Sequence, residues 1–326
     1  MVSLMSTIRQ LWPGTPTYTE RDMPDLAGKV YLVTGSNTGI GQQVARILYS
    51  KNAAVWIASR SNEKGARAIA SIKKAHPTSK GRLECLHLDL GDLATIKKAA
   101  EEFLAKENRL DVLFNNAGVM FPPQGSKTTQ GYELQLGTNC LGPFLLTQFL
   151  TPILAKTAKT APKSSVRVVW VSSSAAELMS PKHGVALDNL DYKHDMSAGH
   201  KYSVSKAGNY YHATEYARRN RDDGIVSVSL NPGNLKSELG RHSGFAVKLF
   251  RFIMTYPAAN GAYTELFAGI SSDVNMGNSG AWIVPWGRFG SIRKELVDGS
   301  KLEAEGGTGI ARKFWEWSEA QTKPYS

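Results

Sequence analysis

The sequence predicts an α/β fold: a single domain built on a doubly wound parallel sheet of about seven strands, with helices on both faces. Two observations carry this. Apolar, β-branched runs recur at 29–34, 54–59, 82–88, 110–114, 166–172, 225–230 and 281–284, and their nearly continuous apolar character suits strands buried on both faces. Segments with helical spacing alternate with them, at 39–51, 62–75, 92–106, 130–155, 201–219 and 257–269. Strand–helix alternation of this length, joined by right-handed crossovers, gives a parallel sheet wound in both directions.

In chain order, residues 1–26 hold Pro13, Pro16 and Pro24 without periodicity and form an arm. The domain is expected over 27–290, with 291–326 as an extension packed on it. The first strand runs into Thr34-Gly35-Ser36-Asn37-Thr38-Gly39-Ile40-Gly41. The helix that follows places Val44, Ile47 and Leu48 on one face. The second strand ends in Ser59-Arg60, and Asp92 suits the N-cap of helix 92–106. Strand 110–114 leads into Asn115-Asn116-Ala117-Gly118, and strand 166–172 into Ser172-Ser173-Ser174. Two irregular stretches, 174–200 and 231–256, follow strands. Ligands in such sheets sit beyond the carboxyl ends of the strands, so both stretches should border the site. Phe314-Trp315-Glu316-Trp317 suits the packed face of a final helix.

Composition excludes several classes. The 326 residues carry 39 Lys+Arg against 28 Asp+Glu, a formal charge of +11. A chain this long buries a sizeable core without disulfides or a metal. At 42% hydrophobic and 21% charged it is globular, not disordered. Cys85 and Cys140 make no disulfide framework and are expected to be buried thiols. No run of 18 apolar residues exists, and the N-terminus has no secretory pattern. A cytoplasmic location is the expectation. None of the seven histidines has metal-ligand spacing, and no metal is expected.

The chemistry lies in two places. At the glycine turn, Gly35 allows the tight bend, Gly39 lets the backbone approach a pyrophosphate, and Gly41 lets helix and strand pack closely. The helix N-terminus then offers amide donors and a positive dipole to the phosphates, with Asn37 and Ile40 in the same turn. Nineteen residues past Gly41 stands Arg60, where an acid would hold a ribose 2′-hydroxyl. A guanidinium suits a 2′-phosphate instead, so NADP(H) is preferred over NAD(H). At Tyr202-Ser203-Val204-Ser205-Lys206, a tyrosine and a lysine four apart share one helix face. An ammonium beside a phenol favours the phenolate, which fits the phenol as a proton donor and acceptor at neutral pH.

The Gly-x-x-x-Gly-x-Gly turn and the Tyr202/Lys206 pair together resemble the short-chain dehydrogenase/reductase superfamily over about residues 27–290. The similarity is greatest to its retinol-dehydrogenase-like and fungal alcohol-dehydrogenase-like members. The resemblance implies a Rossmann-type sheet and a hydride transfer, from the pro-S face, between a nicotinamide and an alcohol/carbonyl pair. It implies that Asp89 and Leu90 bracket the adenine, and that Asn116, Ala117 and Gly118 line the adenosine ribose. It assigns Ser173, with Ser172 as the alternative, to orient the substrate oxygen. Asn139 would hold a water linking Lys206 to solvent. Pro232, Gly233, Leu235 and Ser237 would turn the chain over the nicotinamide, with Tyr202 and Lys206 also touching the cofactor. It further implies a homodimer or homotetramer formed through the two long helices, 130–155 and 201–219.

Leu239, Phe245, Leu249, Phe252, Ile253 and Tyr256 make the segment after this turn apolar; as a substrate lid it would suit a bulky apolar molecule. The alternative activity is a non-catalytic NADP(H) sensor or scaffold. Arg218-Arg219-Asn220-Arg221 ends a helix, where cations favour the dipole. No nucleic-acid partner is expected. Arg60 and Lys206 alone cannot account for +11, so most of the surplus belongs to the surface. Leu4, Ile8, Leu11 and Trp12 leave a peripheral membrane contact as a weaker alternative.

Overall fold

Eight strands form one sheet in the order β3-β2-β1-β4-β5-β6-β7-β8, seen in a computed structural model that describes residues 10–235 and 255–326. They are β1 (Val30–Thr34), β2 (Ala54–Ser59), β3 (Arg82–His87), β4 (Val112–Asn115), β5 (Arg167–Val171), β6 (Val226–Leu230), β7 (Trp282–Val284) and β8 (Arg288–Gly290). β1 to β7 run parallel. β8 pairs antiparallel with β7 and is one strand more than the pattern predicts. Its three residues are too short to show an alternation. It exists because the turn at 285–287, with Trp286 and Gly287 at positive φ, folds the chain back along the edge.

The helices are α1 (Gly39–Ser50), α2 (Asn62–Ala75), α3 (Leu93–Lys106), α4 (Gly142–Ala158), α5 (Ser174–Leu178), α6 (Ala198–Arg219), α7 (Ala258–Ile270), α8 (Lys294–Ser300) and α9 (Ile310–Thr322). Asp92 caps α3 through Ala94 N, as its position suggests. The helix expected over 130–155 starts later, at Leu134, and passes through a π-helical turn, Gly137–Leu141, before α4. α5 adds one short helix to the stretch expected to be irregular.

Alternate residues of the strands feed the two layers, as the period of two requires. Val33, Ile57, Phe114, Val169 and Val228 pack under α1 and α7. Leu32, Trp56, Leu113, Val168 and Trp170 pack under α3, α4 and α6. α9 lies on α6, with Trp315 edge-on to Phe144 and Phe314 stacked on the buried His212. Burial drives the His212 imidazole down to about 3, a neutral core histidine. Arg218 and Arg219 both pair with the buried Glu215 at the end of α6.

The arm crosses the far edge of the sheet. Thr17 donates to the carbonyls of Trp286 and Gly287 at 3.1 and 2.7 Å, and Arg288 donates to the Thr15 carbonyl. Among the described residues no helix is long and apolar enough to cross a membrane. Ser237, the apolar positions Leu239 to Ile253, and Leu4 and Ile8 lie outside the described residues. The sheet reverses its winding between β1 and β4, and the crevice outside their carboxyl ends is where such a sheet takes a ligand.

Candidate active site

A cavity of about 670 Å³ opens at that crevice. Its floor is the glycine turn. Gly35 and Gly39 both adopt positive φ, +67° and +61°, a region costly for other residues. Among the described residues nothing lies within 4 Å of where a Gly39 side chain would begin, so backbone faces open space there at the start of α1. A Cβ on Gly41 would fall 2.5 Å from Asn116 Nδ2, so only glycine lets α1 approach the loop after β4 this closely. Asn116 in turn donates to the Thr34 carbonyl at 2.6 Å, and Ala117 N donates to Thr34 Oγ1. These bonds lock the ends of β1 and β4 together.

Around this floor the cavity is lined by Asn37, Ile40, Arg60, Asp89, Leu90, Asn116, Ala117 and Gly118, which places one group of the sequence-predicted residues in a single cleft. Two further lining residues carry weight. Lys64 stands one turn into α2, beside Arg60; Ser61 caps that helix by accepting from Lys64 N. Arg60 and Lys64 put two cations at one end of the cleft. The spacing of four between them was a usable signal, hidden because Arg60 ends a strand and Lys64 lies in a helix. Thr138 also lines the cavity, and its buried hydroxyl has no hydrogen-bond partner among the described residues.

The second group gathers on α6. Lys206 is buried, donates from Nζ to the Val171 carbonyl at 2.8 Å, and lies 5.8 Å from the centre of the Tyr202 ring. Burial drives its ammonium down to about 8. Tyr202 is 8% exposed and meets Phe121 edge-on at 5.5 Å. Asn139 sits in the π-helical turn. Its Nδ2 donates to the Val119 carbonyl and to Ser205 Oγ, and its Oδ1 accepts from Val119 N at 2.8 Å. A π turn displaces one backbone carbonyl from the usual ladder, and this one aligns an amide with both the 119 segment and α6.

The serines at the end of β5 separate by environment. Ser172 is buried and donates to the Lys206 carbonyl at 2.6 Å. Ser173 is partly exposed and caps α5 by accepting from Ala175 N at 3.2 Å, which leaves its hydroxyl proton free to point outward. Past β6, Gly233 (φ +92°) packs on the Trp286 ring. Asn231 Oδ1 accepts from Gly233 N. Leu235 forms a bridge with Tyr256 and fills the space over Gly261. Pro232 leads into this turn.

Gly118 joins the two groups. A Cβ there would lie 3.2 Å from Asn139 Oδ1 and 3.4 Å from Lys206 Nζ. The chain from Gly118 to Phe121 therefore runs from the cavity wall past Asn139 and Lys206 to Tyr202. The arrangement offers a cationic end, an open backbone floor, and a phenol beside a buried amine at the other end.

A family model described as short chain dehydrogenase matches residues 29–186. A short-chain dehydrogenase/reductase of Phomopsis amygdali is 52% identical over 328 residues, covering 99% of this chain and 98% of that protein. One from Neocamarosporium betae is 49% identical, covering 97% of this chain and 92% of its own length. Among solved structures, an uncharacterized protein from Mycobacterium paratuberculosis superposes with a TM-score of 0.70 at 28% identity, covering 95% of this chain and 98% of that one. An NADPH-bound carbonyl reductase from chicken fatty liver shares the fold, with a TM-score of 0.59 at 24% identity over 79% of this chain and 96% of that one.

Proposed function

The chain belongs to the short-chain dehydrogenase/reductase family, and from that membership we propose that it is an NADP(H)-dependent oxidoreductase interconverting an alcohol and a ketone or aldehyde. The observation that carries this is the continuity from the cleft to the phenol: Gly118 borders the cleft and lies against Lys206, whose Nζ faces the Tyr202 ring. The residues present fit a dinucleotide. The open floor at Gly39 suits a pyrophosphate, and Arg60 with Lys64 suits a 2′-phosphate. NAD(H), lacking that phosphate, is the weaker ligand. Asp89 and Leu90 would hold the adenine, Asn116 to Gly118 the ribose, and the turn at Pro232, Gly233 and Leu235, with Ser237, the nicotinamide. The nicotinamide, when bound, supplies or accepts the hydride.

This chain's own residues handle the proton and the oxygen. Tyr202 gives its phenolic proton to the carbonyl oxygen in reduction and takes it back in oxidation. Lys206 favours the phenolate form by its charge. Ser173 donates a hydrogen bond to the same oxygen. Asn139 holds the 119 segment and α6 in register and supports reprotonation of Tyr202 through Lys206. Phe121, edge-on to Tyr202, and the exposed Leu178 and Met179 just past Ser173 support a bulky apolar substrate. A homodimer or homotetramer would form with α9 in place over α6, which sedimentation velocity measures.

The test is NADPH oxidation across a panel of lipophilic ketones and aldehydes, with Tyr202→Phe alongside. Removal of a general acid is expected to cost about 10²–10⁴-fold in kcat while NADPH still binds. Full activity in Tyr202→Phe overturns the mechanism.

A further inference from the structure

Beside Ser173 lies a second cleft of only about 10 Å³, room for one water-sized group, walled by Gln10, Leu11, Ser174, Glu177, Leu178 and Asn234. Glu177 is 2% exposed. Its Oε2 accepts from Gln10 Nε2 at 2.8 Å, whereas its Oε1 is buried with no partner among the described residues. Gln10 Oε1 accepts from Asn231 Nδ2 at 2.9 Å, and Asn231 is the residue before Pro232. One glutamine of the arm thus bridges the segment after Ser173 and the segment that leads into the Pro232-Gly233 turn.

A buried carboxyl oxygen without a hydrogen bond is costly, on the order of 1–3 kcal/mol. Such groups persist where something else completes them. The surroundings say what fits. Burial holds the Glu177 carboxyl above the usual range, against the pull of Gln10 and Arg293. An anion beside this group would be repelled, or would have to carry its own proton. Two leucines supply apolar walls, and Ser174 and Asn234 supply neutral polar ones. A neutral hydroxyl meets all of these, since it donates to a carboxylate and both donates to and accepts from a carboxylic acid.

Building on the oxidoreductase reading above, we propose that Glu177, held by Gln10, binds a second oxygen of the substrate, a neutral hydroxyl remote from the reacting carbonyl. The substrate class is then a hydroxylated apolar ketone or its diol, without a carboxylate at that position. Glu177 acts in recognition and takes no part in hydride or proton transfer.

The experiment uses the full chain and hydroxyketones with the hydroxyl one to six carbons from the carbonyl, each beside its deoxy ketone. Initial rates give the kcat/KM ratio within each pair for wild type, Glu177→Gln, Glu177→Leu and Gln10→Leu. Tryptophan fluorescence titrations with NADPH present give the Kd ratio of the same pairs without turnover. One spacing is expected to be favoured by about tenfold or more in wild type, the worth of one buried hydrogen bond. Glu177→Leu should abolish that ratio with the deoxy ketone unaffected, Glu177→Gln should keep part of it, and Gln10→Leu should reduce it. A wild-type ratio near one at every spacing, or a preference that survives in Glu177→Leu, overturns the proposal. Should Glu177→Leu fail to fold, an undiminished ratio in both Glu177→Gln and Gln10→Leu overturns it equally. A Kd preference lost in Glu177→Leu, in a protein that reduces no ketone, supports the hydroxyl site and sinks the oxidoreductase reading instead.

Discussion

Glu265 is fully buried on α7, and neither carboxyl oxygen has a hydrogen-bond partner among the described residues. Burial pushes its carboxyl up to about 8, with Lys206 opposing. The protonated acid is therefore the folded form, and its contribution to stability is complete below pH 4.5. It is lost progressively as pH rises toward 8, because the unfolded chain ionises and the folded one does not. Each pH unit in that window is worth about 1.4 kcal/mol for one group. Glu265→Gln removes the titration, so its stability relative to wild type should improve by about 2–3 kcal/mol between pH 5 and pH 7. Urea melts at the two pH values check this; a constant difference would show that Glu265 is ionised in place. At the other end of the cleft, Arg60→Ala should raise KM for NADPH about tenfold or more, the loss of one charge-assisted contact. KM for NADH should hardly move. The double variant with Lys64→Ala should weaken NADPH further, and equal losses for both cofactors would remove the 2′-phosphate from that corner.

At the scale of elements, the π turn before α4 and the loop from Gly118 to Phe121 act as one joint. Gly118→Ala places a methyl group within 3.4 Å of both Asn139 Oδ1 and Lys206 Nζ, which forces one of them aside. Turnover is expected to fall about 10-fold or more, as misplacement of a positioned group does, with the midpoint of thermal unfolding little changed. Comparing kcat with thermal melts separates this from a folding defect. Much of this was legible beforehand. The strand runs marked β1, β2, β4 and β5 because parallel strands covered on both faces read as nearly unbroken apolar stretches, while β3 at the edge and β6 alternate apolar with polar residues. Tyr202 and Lys206 stood out because a spacing of four is a statement about one helix face. What stayed hidden depends on contacts between distant segments. Lys64 gains its place from the angle at which α2 leaves β2, and Glu177 from an arm residue 167 positions away. The three residues of β8 pair only because a turn delivers them to an edge. The choice between Ser172 and Ser173 rested on a strand-end pattern; the structure adds that one hydroxyl turns inward to Lys206.

Across the whole molecule, α9 is the piece whose loss should matter most for solubility. It covers Phe144, His212 and Tyr216 with Trp315, and stripping residues 310–326 would bare an aromatic surface of the kind that drives association. The truncated chain should sediment as larger, heterogeneous species, and a monodisperse product would show that α6 is sufficiently covered without it. The arm has a different consequence, one of timing. Thr17 reaches a carbonyl 270 positions further on. Thr15 and Thr17 are made long before their berth, which exists only once β7 and the turn after it have emerged. At about 5–20 residues per second that is a wait of roughly 15–55 s. Gln10 meets Glu177 and Asn231 sooner, so the arm docks in stages, at the cleft beside Ser173 before the sheet edge. A nascent chain halted before residue 286 would hold the glycine turn and the Tyr202 helix while Thr17 still lacked its berth.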